Sequence, residues 1–230
     1  RAEFSRQVDS LLADGYQIVT GPAGSQLSQG SGSTVASQWL SATRNAVSRQ
    51  QVVATSYAMP DATALQRADM KQTIVAATEG AAADVEARSR AQVDQVLAWP
   101  TGAVTTPATA RTFRDSGATQ ILLRDASLPP APGLTYTPDG FATWEGLPVT
   151  LADSGITEAL AMPQRTRGQA LLARQRFLAE VAMTAGELPD TSRGVVAAPD
   201  PLWSPRASFL RQTLRALQQV PYARLTSLNS

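Results

Sequence analysis

The chain has 230 residues, of which 43% are hydrophobic, and its 20 basic and 19 acidic residues give a net charge of +1. This length suffices for a substantial core, and the even charge balance gives no indication of a nucleic-acid-binding surface. Cysteine and histidine are both absent, which excludes disulfides, thiol nucleophiles, the Ser-His-Asp triad and imidazole-bound zinc. We expect no cofactor and assign no metal ligands; a metal would need oxygen ligands alone, which favours Ca²⁺ or Mg²⁺.

The first 20 residues predict a helix followed by a strand. Residues 1–13 carry an apolar helical face from Phe4 to Leu12, Gly15 suits the C-cap, and residues 16–20 suit a strand. Because the chain opens directly into a helix, we expect it to be a fragment of a longer protein. No segment approaches the ~20 apolar residues that span a bilayer, so any membrane contact is expected to come from segments outside these residues.

Residues 21–33 are rich in Gly, Ser and Gln, which predicts a loop. Gly-rich turns can bind phosphate at a helix N-terminus, but the spacing here matches neither a P-loop nor a dinucleotide fingerprint. An amphipathic helix is predicted over residues 34–48.

The apolar stretch 51–57 predicts a buried strand that ends at Tyr57 and turns through Pro60. Asp61 stands where an N-cap belongs, and the helix that it opens continues to an interruption at Gly80. A second helical piece is predicted over residues 81–92.

The middle of the chain repeats this alternation. Residues 93–98 predict a strand ending at Trp99, and Thr106-Pro107 opens a helix that stops at Gly117. Residues 120–123 predict a third buried strand leading into Asp125. Residues 128–146 are irregular, although residues 143–150 suit a β-hairpin.

The last third contains the longest predicted helix, over residues 165–185, which Gly186 closes. A fourth buried strand is predicted over residues 194–198, followed by a helix from Ser204-Pro205 and a further strand over residues 220–225. Four arginines of the long helix could suggest a patch for an anionic polymer, but on a helix they more often indicate a solvated face: Arg165, Arg167, Arg174 and Arg176.

This alternation of short apolar strands and amphipathic helices predicts a single α/β domain with a parallel sheet, arranged as a (β/α) barrel or an incomplete one. Right-handed connections place the C-termini of all parallel strands on one side, where ligands bind in such folds.

Six residues fall at or just after the predicted strand ends and are the candidate ligand-binding residues: Tyr57, Asp61, Trp99, Asp125, Asp200 and Trp203. Aromatic rings can stack on a sugar while carboxylates accept hydrogen bonds from its hydroxyls. Structural roles compete with this interpretation: Asp61 suits an N-cap, Asp200 a turn, and Trp99 a packing position. Glu145 and Asp153 are weaker candidates, and no residue is assigned as catalytic.

Several sequence blocks, in this order and spacing, resemble a family of actinobacterial cell-envelope proteins encoded beside the lipid II flippase. The blocks are Asp14-Gly15-Tyr16, Tyr57-Ala58-Met59-Pro60-Asp61, Leu97-Ala98-Trp99-Pro100, the helix from Leu171 to Glu180, and Val195-Val196-Ala197-Ala198-Pro199. The resemblance implies a secreted or membrane-anchored protein whose extracytoplasmic core is this region.

That family is in turn similar to the β/α barrels of polysaccharide deacetylases and related glycoside hydrolases. The deacetylase branch uses an Asp pair with a His-x-x-x-His metal motif, which a chain without histidine cannot supply. We therefore expect a non-catalytic domain that binds a cell-wall glycan or an envelope protein. Two alternatives stay open, a carboxylate-dependent glycoside hydrolase and a purely architectural domain.

Overall fold

The computed structural model describes residues 10–12, 16–20 and 26–228. Its strands are β1 (Gln17–Thr20), β2 (Gln26–Gln29), β3 (Val53–Thr55), β4 (Gln95–Ala98), β5 (Gln120–Arg124), β6 (Phe141–Trp144) and β7 (Leu147–Ala152). Its helices are α1 (Ser33–Val47), α2 (Ala62–Arg67), α3 (Lys71–Glu79), α4 (Ala81–Ser89), α5 (Pro107–Asp115), α6 (Ser154–Ala161), α7 (Arg167–Glu187) and α8 (Ala207–Gln218). The predicted N-terminal helix lies outside the described residues except for 10–12, which are helical.

The larger of two sheets confirms the predicted α/β class. It has five strands in the order β3-β4-β5-β7-β6, whereas β1 and β2 form a separate antiparallel pair. Strand β3 runs parallel to β4 and β5 runs parallel to β7, while β6 is antiparallel to β7. The sheet is therefore mostly parallel, but its described strands do not close into a barrel, and the barrel-like architecture stays a prediction.

The chain divides into two compact units. The first comprises Arg1–Trp99 and Ala108–Gln120, and the second comprises Pro100–Pro107 and Ile121–Ser230. The prediction of a single domain stays a prediction.

The β1–β2 hairpin of the first unit corrects part of the predicted loop over residues 21–33, of which 21–25 lie outside the described residues. Gln26–Gln29 is a strand whose four residues are all exposed. The residues Gln-Leu-Ser-Gln have low β-propensity as a group and are not buried, so the segment is a strand because its backbone pairs with β1. The same pairing continues at Tyr16, whose carbonyl accepts from the Gly30 N–H (3.0 Å) and whose hydroxyl accepts from the Gly32 N–H (2.6 Å).

Strand β3 is shorter than the predicted strand over residues 51–57, and both of its ends are fixed by hydrogen bonds. Val52 N–H donates to a carboxylate oxygen of Asp94 (2.7 Å). After the strand, the buried hydroxyls of Ser56 and Thr78 lie 2.9 Å apart, and Tyr57 N–H donates to the carbonyl of Ala77 (2.7 Å). The end of β3 is thereby tied to α3.

The helices of the first unit begin and end largely as predicted. Asp61 caps α2, and a left-handed Asp69 (φ 57°) separates α2 from α3, a break that the sequence did not indicate. Helix α5 starts at Pro107, and Gly117 follows it with φ 92°, a conformation that glycine adopts without strain. Ile74 and Phe113 are buried by these helices.

In the second unit, β6 and β7 form the hairpin predicted for residues 143–150. Glu145 (φ 51°) and Gly146 (φ 76°) connect the strands, and two successive positive φ values are typical of a type I′ turn. Strand β7 is also the parallel partner of β5, with Ile121 opposite Val149. Both of these residues are almost fully buried.

Three helices build the core of the second unit. Helix α6 was not predicted, whereas α7 confirms the long helix and continues through Gly186 to Glu187. Thr166 opens α7 with a reciprocal capping box to Gln169. The core cluster contains Ile156 and Leu160 of α6, Ala173 and Phe177 of α7, and Phe209 and Leu217 of α8.

Two predicted strands of this unit are corrected. Within the described chain, residues 194–198 form no continuous strand and contribute only one isolated parallel bridge, between Val196 and Ala152. Residues 220–225 form a turn and irregular chain instead of a strand. There the apolar pattern reflects core packing, since Val220 and Ala223 lie against the helical cluster.

Candidate functional site

Two aspartates follow neighbouring parallel strands in the second unit. Arg124 and Ala152 are register partners at the ends of β5 and β7. Asp125 and Asp153 are the next residues in each strand's direction, so both acids stand at the same edge of the sheet. This edge of the sheet therefore carries one of the six candidate residues, Asp125, together with the weaker candidate Asp153.

Asp125 has both carboxylate oxygens engaged by the protein. One oxygen accepts from the Ala126 N–H (2.7 Å) and from the Ser154 hydroxyl (2.5 Å), and the other accepts from the Ser154 N–H (2.9 Å). Neighbouring Arg124 directs two guanidinium N–H groups to the carbonyl of Gly102 (3.0 and 2.8 Å). Asp125 thus links the end of β5 to the start of α6.

Asp153 is the N-cap of α6 and accepts from the Ile156 N–H (2.7 Å). Burial raises the pKa of Asp153 above its ordinary value, the Ile156 hydrogen bond opposes that rise, and the negative charges of Asp125 and Glu180 add to it. Glu180 lies on α7, where it pairs with Arg176 at 2.6 Å. Three carboxyl groups therefore share one electrostatic environment.

The raised pKa makes the carboxyl group of Asp153 a better proton donor than an ordinary aspartate. A carboxyl group whose pKa is raised beside a second carboxylate is the arrangement from which acid catalysis of glycoside cleavage starts. The Ser154 hydroxyl donates to the neighbouring carboxylate of Asp125 and thereby helps to hold this edge of the sheet.

The other predicted residues of the second unit have structural contacts. Asp200 is exposed and accepts from the Leu202 N–H (2.7 Å), the turn role expected of an aspartate before proline. Trp203 is half-buried against the helical core cluster. Within the described residues, no hydrogen bond or ion pair joins Asp200 to Asp125 or Asp153.

The three candidates in the first unit stand near the ends of β3 and β4. Asp61 caps α2 by accepting from the Ala64 N–H (3.0 Å). Tyr57 is half-buried next to α3, and Trp99 is half-buried directly after β4. Ligand binding by all six candidate residues stays a prediction.

The sequence underrated Asp153 and did not single out Ser154 or Glu180. A usable signal was present, because the mostly apolar run Val149-Thr150-Leu151-Ala152 is followed by Asp-Ser, the same strand-then-cap pattern that drew attention to Asp61. Glu145 occupies the hairpin turn. Across the described residues, no group of three or more acidic side chains has the arrangement to hold a metal ion.

A second feature lies on α1 in the first unit. Hydroxyl and amide side chains line a shallow depression of about 510 Å³, together with Leu12: Ser33, Thr34, Ser37, Gln38 and Ser41. These groups can donate and accept hydrogen bonds to a polar ligand. Their helical spacing was visible in the sequence, but the prediction followed the apolar face of this helix.

Comparison with known proteins gives one family. The model described as a family of unknown function, DUF6049, matches residues 15–230. No curated protein matches the chain. Among the described residues, no helix has the length and apolar character needed to cross a membrane.

Proposed function

The chain belongs to DUF6049, and we propose that it is a non-catalytic, extracytoplasmic domain that binds a glycan or a protein partner during cell-envelope assembly. The proposal rests on the structural roles of four aspartates. Asp61, Asp125, Asp153 and Asp200 each accept at least one backbone N–H at a helix start or turn. Asp125 has both carboxylate oxygens bonded to the protein, and each of the other three uses one oxygen to hold a helix start or a turn.

The resemblance to actinobacterial envelope proteins encoded beside the lipid II flippase supports the envelope location. We also propose that the domain is similar to the β/α barrels of polysaccharide deacetylases. The metal-dependent reaction of those enzymes is not part of this proposal, because the chain has no histidine. Membrane attachment would come from segments outside these residues.

Two surfaces support binding. The α1 depression offers hydroxyl and amide groups to a sugar. For a protein partner, the long helix α7 leaves Leu171, Leu172 and Met183 between about half and two thirds exposed. Surface helices usually carry polar residues on the solvent side, so these apolar side chains suit an interface.

Titration with peptidoglycan and arabinogalactan fragments tests the glycan half. We expect saturable binding, weakened by Ser37→Ala/Gln38→Ala on α1 and unchanged by Ser89→Ala on α4. The absence of binding at millimolar fragment would remove the glycan half and leave the protein partner.

A carboxylate-dependent glycoside hydrolase is the second candidate, because the raised pKa of Asp153 beside Asp125 is a specific observation in its favour. It predicts the release of reducing ends from wall polysaccharides, abolished by Asp153→Asn. Wild-type protein that releases none would end this candidate. An architectural role would be supported if neither binding nor cleavage occurred.

A further inference from the structure

The positive charge of this chain is concentrated towards its C-terminal end. Residues 1–161 contain eleven basic and fifteen acidic residues, a net charge of −4, and residues 162–230 contain nine basic and four acidic residues, a net charge of +5. Residues 201–230 have four arginines and no acid. The near-neutral total therefore conceals a charge asymmetry of the kind that accompanies binding to anions.

Five of these arginines lie on the two packed helices α7 and α8. Arg176 is paired with Glu180, and we call the other four the arginine face: Arg167, Arg174, Arg211 and Arg215. The Arg174 guanidinium donates to the side-chain carbonyl of Gln212 (2.9 Å), which joins the two helices at this point. Arg211 precedes Gln212 and Arg215 lies one turn beyond it. Arg167 is two turns from Arg174 on the same side of α7, about 10 Å along the axis.

The charges of the arginine face are not neutralised within the described residues. Elsewhere in the same unit, Arg176 pairs with Glu180 and Arg193 pairs with Glu187, whereas no member of the arginine face has a carboxylate partner. The first turns of both helices also lack an acidic residue. Arg167 at the start of α7 is consequently unfavourable with respect to the helix dipole.

The neighbours of these arginines indicate the class of ligand. The solvent side of α8 carries Ser208, Gln212 and Gln218 beside Arg211 and Arg215, all exposed. The apolar side of the helix is already used in the core by Phe209 and Leu217. A membrane-binding helix needs an apolar face free to enter the lipid, which α8 lacks.

We propose that the arginine face binds an acidic linear glycan. Its guanidinium groups would pair with carboxylate or phosphate groups, for which their planar fork is suited, and the adjacent amides and hydroxyl would bond to sugar hydroxyls. Binding would relieve the repulsion among four uncompensated cations. This inference rests on the glycan half of the proposed function and names the class of glycan.

The experiment measures the fluorescence anisotropy of labelled oligogalacturonate, a carboxylate glycan, and of phosphorylated maltodextrin, a phosphate glycan. Each has a neutral match, the methyl-esterified oligomer and unmodified maltodextrin. We expect the intact chain to bind at least one acidic probe, with affinity falling as salt is added, and to bind its neutral match at least tenfold more weakly.

The variant Arg211→Gln/Arg215→Gln should lose at least tenfold in affinity for the acidic probe. Both side chains are exposed without hydrogen-bond partners in the described structure, so folding, checked by circular dichroism, should be unchanged. The control Arg49→Gln/Arg67→Gln removes the same charge from exposed positions of the first unit and should bind like wild type.

Equal loss in both double variants would overturn the inference, because it would show only an effect of net charge. Tighter binding to anionic phospholipid vesicles or to duplex DNA than to either acidic glycan would also overturn it. If neither acidic probe bound while neutral wall fragments did, the inference about the arginine face would be wrong and the proposed glycan binding would still hold.

Discussion

At the scale of single residues, the aspartates of the described part of the chain serve mainly as acceptors for backbone N–H groups. Asp61 and Asp153 cap helices, while Asp125 bonds across to Ser154 and Asp200 closes a turn. Asp153 differs from the other caps because burial and two neighbouring acids oppose its ionisation.

Asp153→Asn should raise the free energy of unfolding at neutral pH. The pKa of Asp153 is raised in the folded protein, so folding favours the protonated carboxyl group. The stability that this group contributes is fully present below its ordinary pKa of 3.8 and is lost as the pH rises through its pKa in the folded protein. Asn retains the helix cap without a charge. Urea unfolding at several pH values should show the gain at neutral pH and its disappearance in acid.

A control variant, Asp153→Ala, removes the cap and should destabilise the protein by about 1 kcal/mol in acid, where the charge no longer matters. If Asp153→Asn were less stable than wild type at neutral pH, the ionised carboxylate would be a net stabilising group.

Glu187→Gln is expected to lower the free energy of unfolding at neutral pH. Burial acts to raise the pKa of Glu187, but hydrogen bonds from Thr137 and Arg193 outweigh it and lower the pKa. The ionised carboxylate therefore stabilises the fold at any pH above its ordinary pKa of 4.5. This contribution is lost as the pH falls through the lower pKa that Glu187 has in the folded protein. Thermal unfolding of both proteins should converge in strong acid; a constant difference at every pH would contradict this assignment.

At the scale of elements, local chemistry accounts for most starts and stops. Pro107 at the start of α5 and Gly117 after it were identified from the sequence, and the structure adds the capping box at Thr166. The β6–β7 turn fits its sequence less well, because Glu145 has φ 51°, a conformation that costs energy for a side chain other than Asn, Asp or Gly.

Glu145→Asn should stabilise the hairpin, because Asn-Gly is the preferred pair for a type I′ turn. We expect an increase of about 0.5 kcal/mol in the free energy of unfolding, measured with urea. Glu145→Val should lower it, since a β-branched residue is strained at positive φ. Equal stability of the two variants would show that the turn relaxes.

At the scale of the whole molecule, long-range polar contacts fix segments without regular structure. The guanidinium of Arg193 bonds to the carbonyls of Thr137 and Thr184 and to Glu187 (3.2 Å). This contact joins the irregular segment before β6 to the end of α7. Gly140 and Gly194 approach closely nearby, with the N–H of Gly140 donating to the carbonyl of Gly194 (2.8 Å).

Arg193→Ala should cost about 2 kcal/mol or more, because hydrogen bonds to a charged group are lost and two carbonyls are left without their donor. Arg193→Lys keeps the charge but loses the planar fork, so an intermediate loss is expected. Hydrogen exchange should show faster opening of residues 134–140 in the alanine variant. This role would be contradicted if Arg193→Ala lowered the free energy of unfolding by less than Arg224→Ala, a substitution at an exposed position.

The sequence by itself determined the α/β class, the parallel character of most strands, and the bounds of α1, α5 and α7 to within two residues, because side-chain periodicity and capping residues act over a few neighbours. Tertiary structure alone decided that Gln26–Gln29 is a strand, that residues 220–225 are not, and that Asp125 and Asp153 stand side by side. Strand pairing and register join residues far apart in the chain, so no local pattern specifies them. The same reason explains why the hydrogen bonds from Ser154 to Asp125 were not visible in the sequence, whereas the cap and turn roles of Asp61 and Asp200 involve N–H groups only two or three residues away.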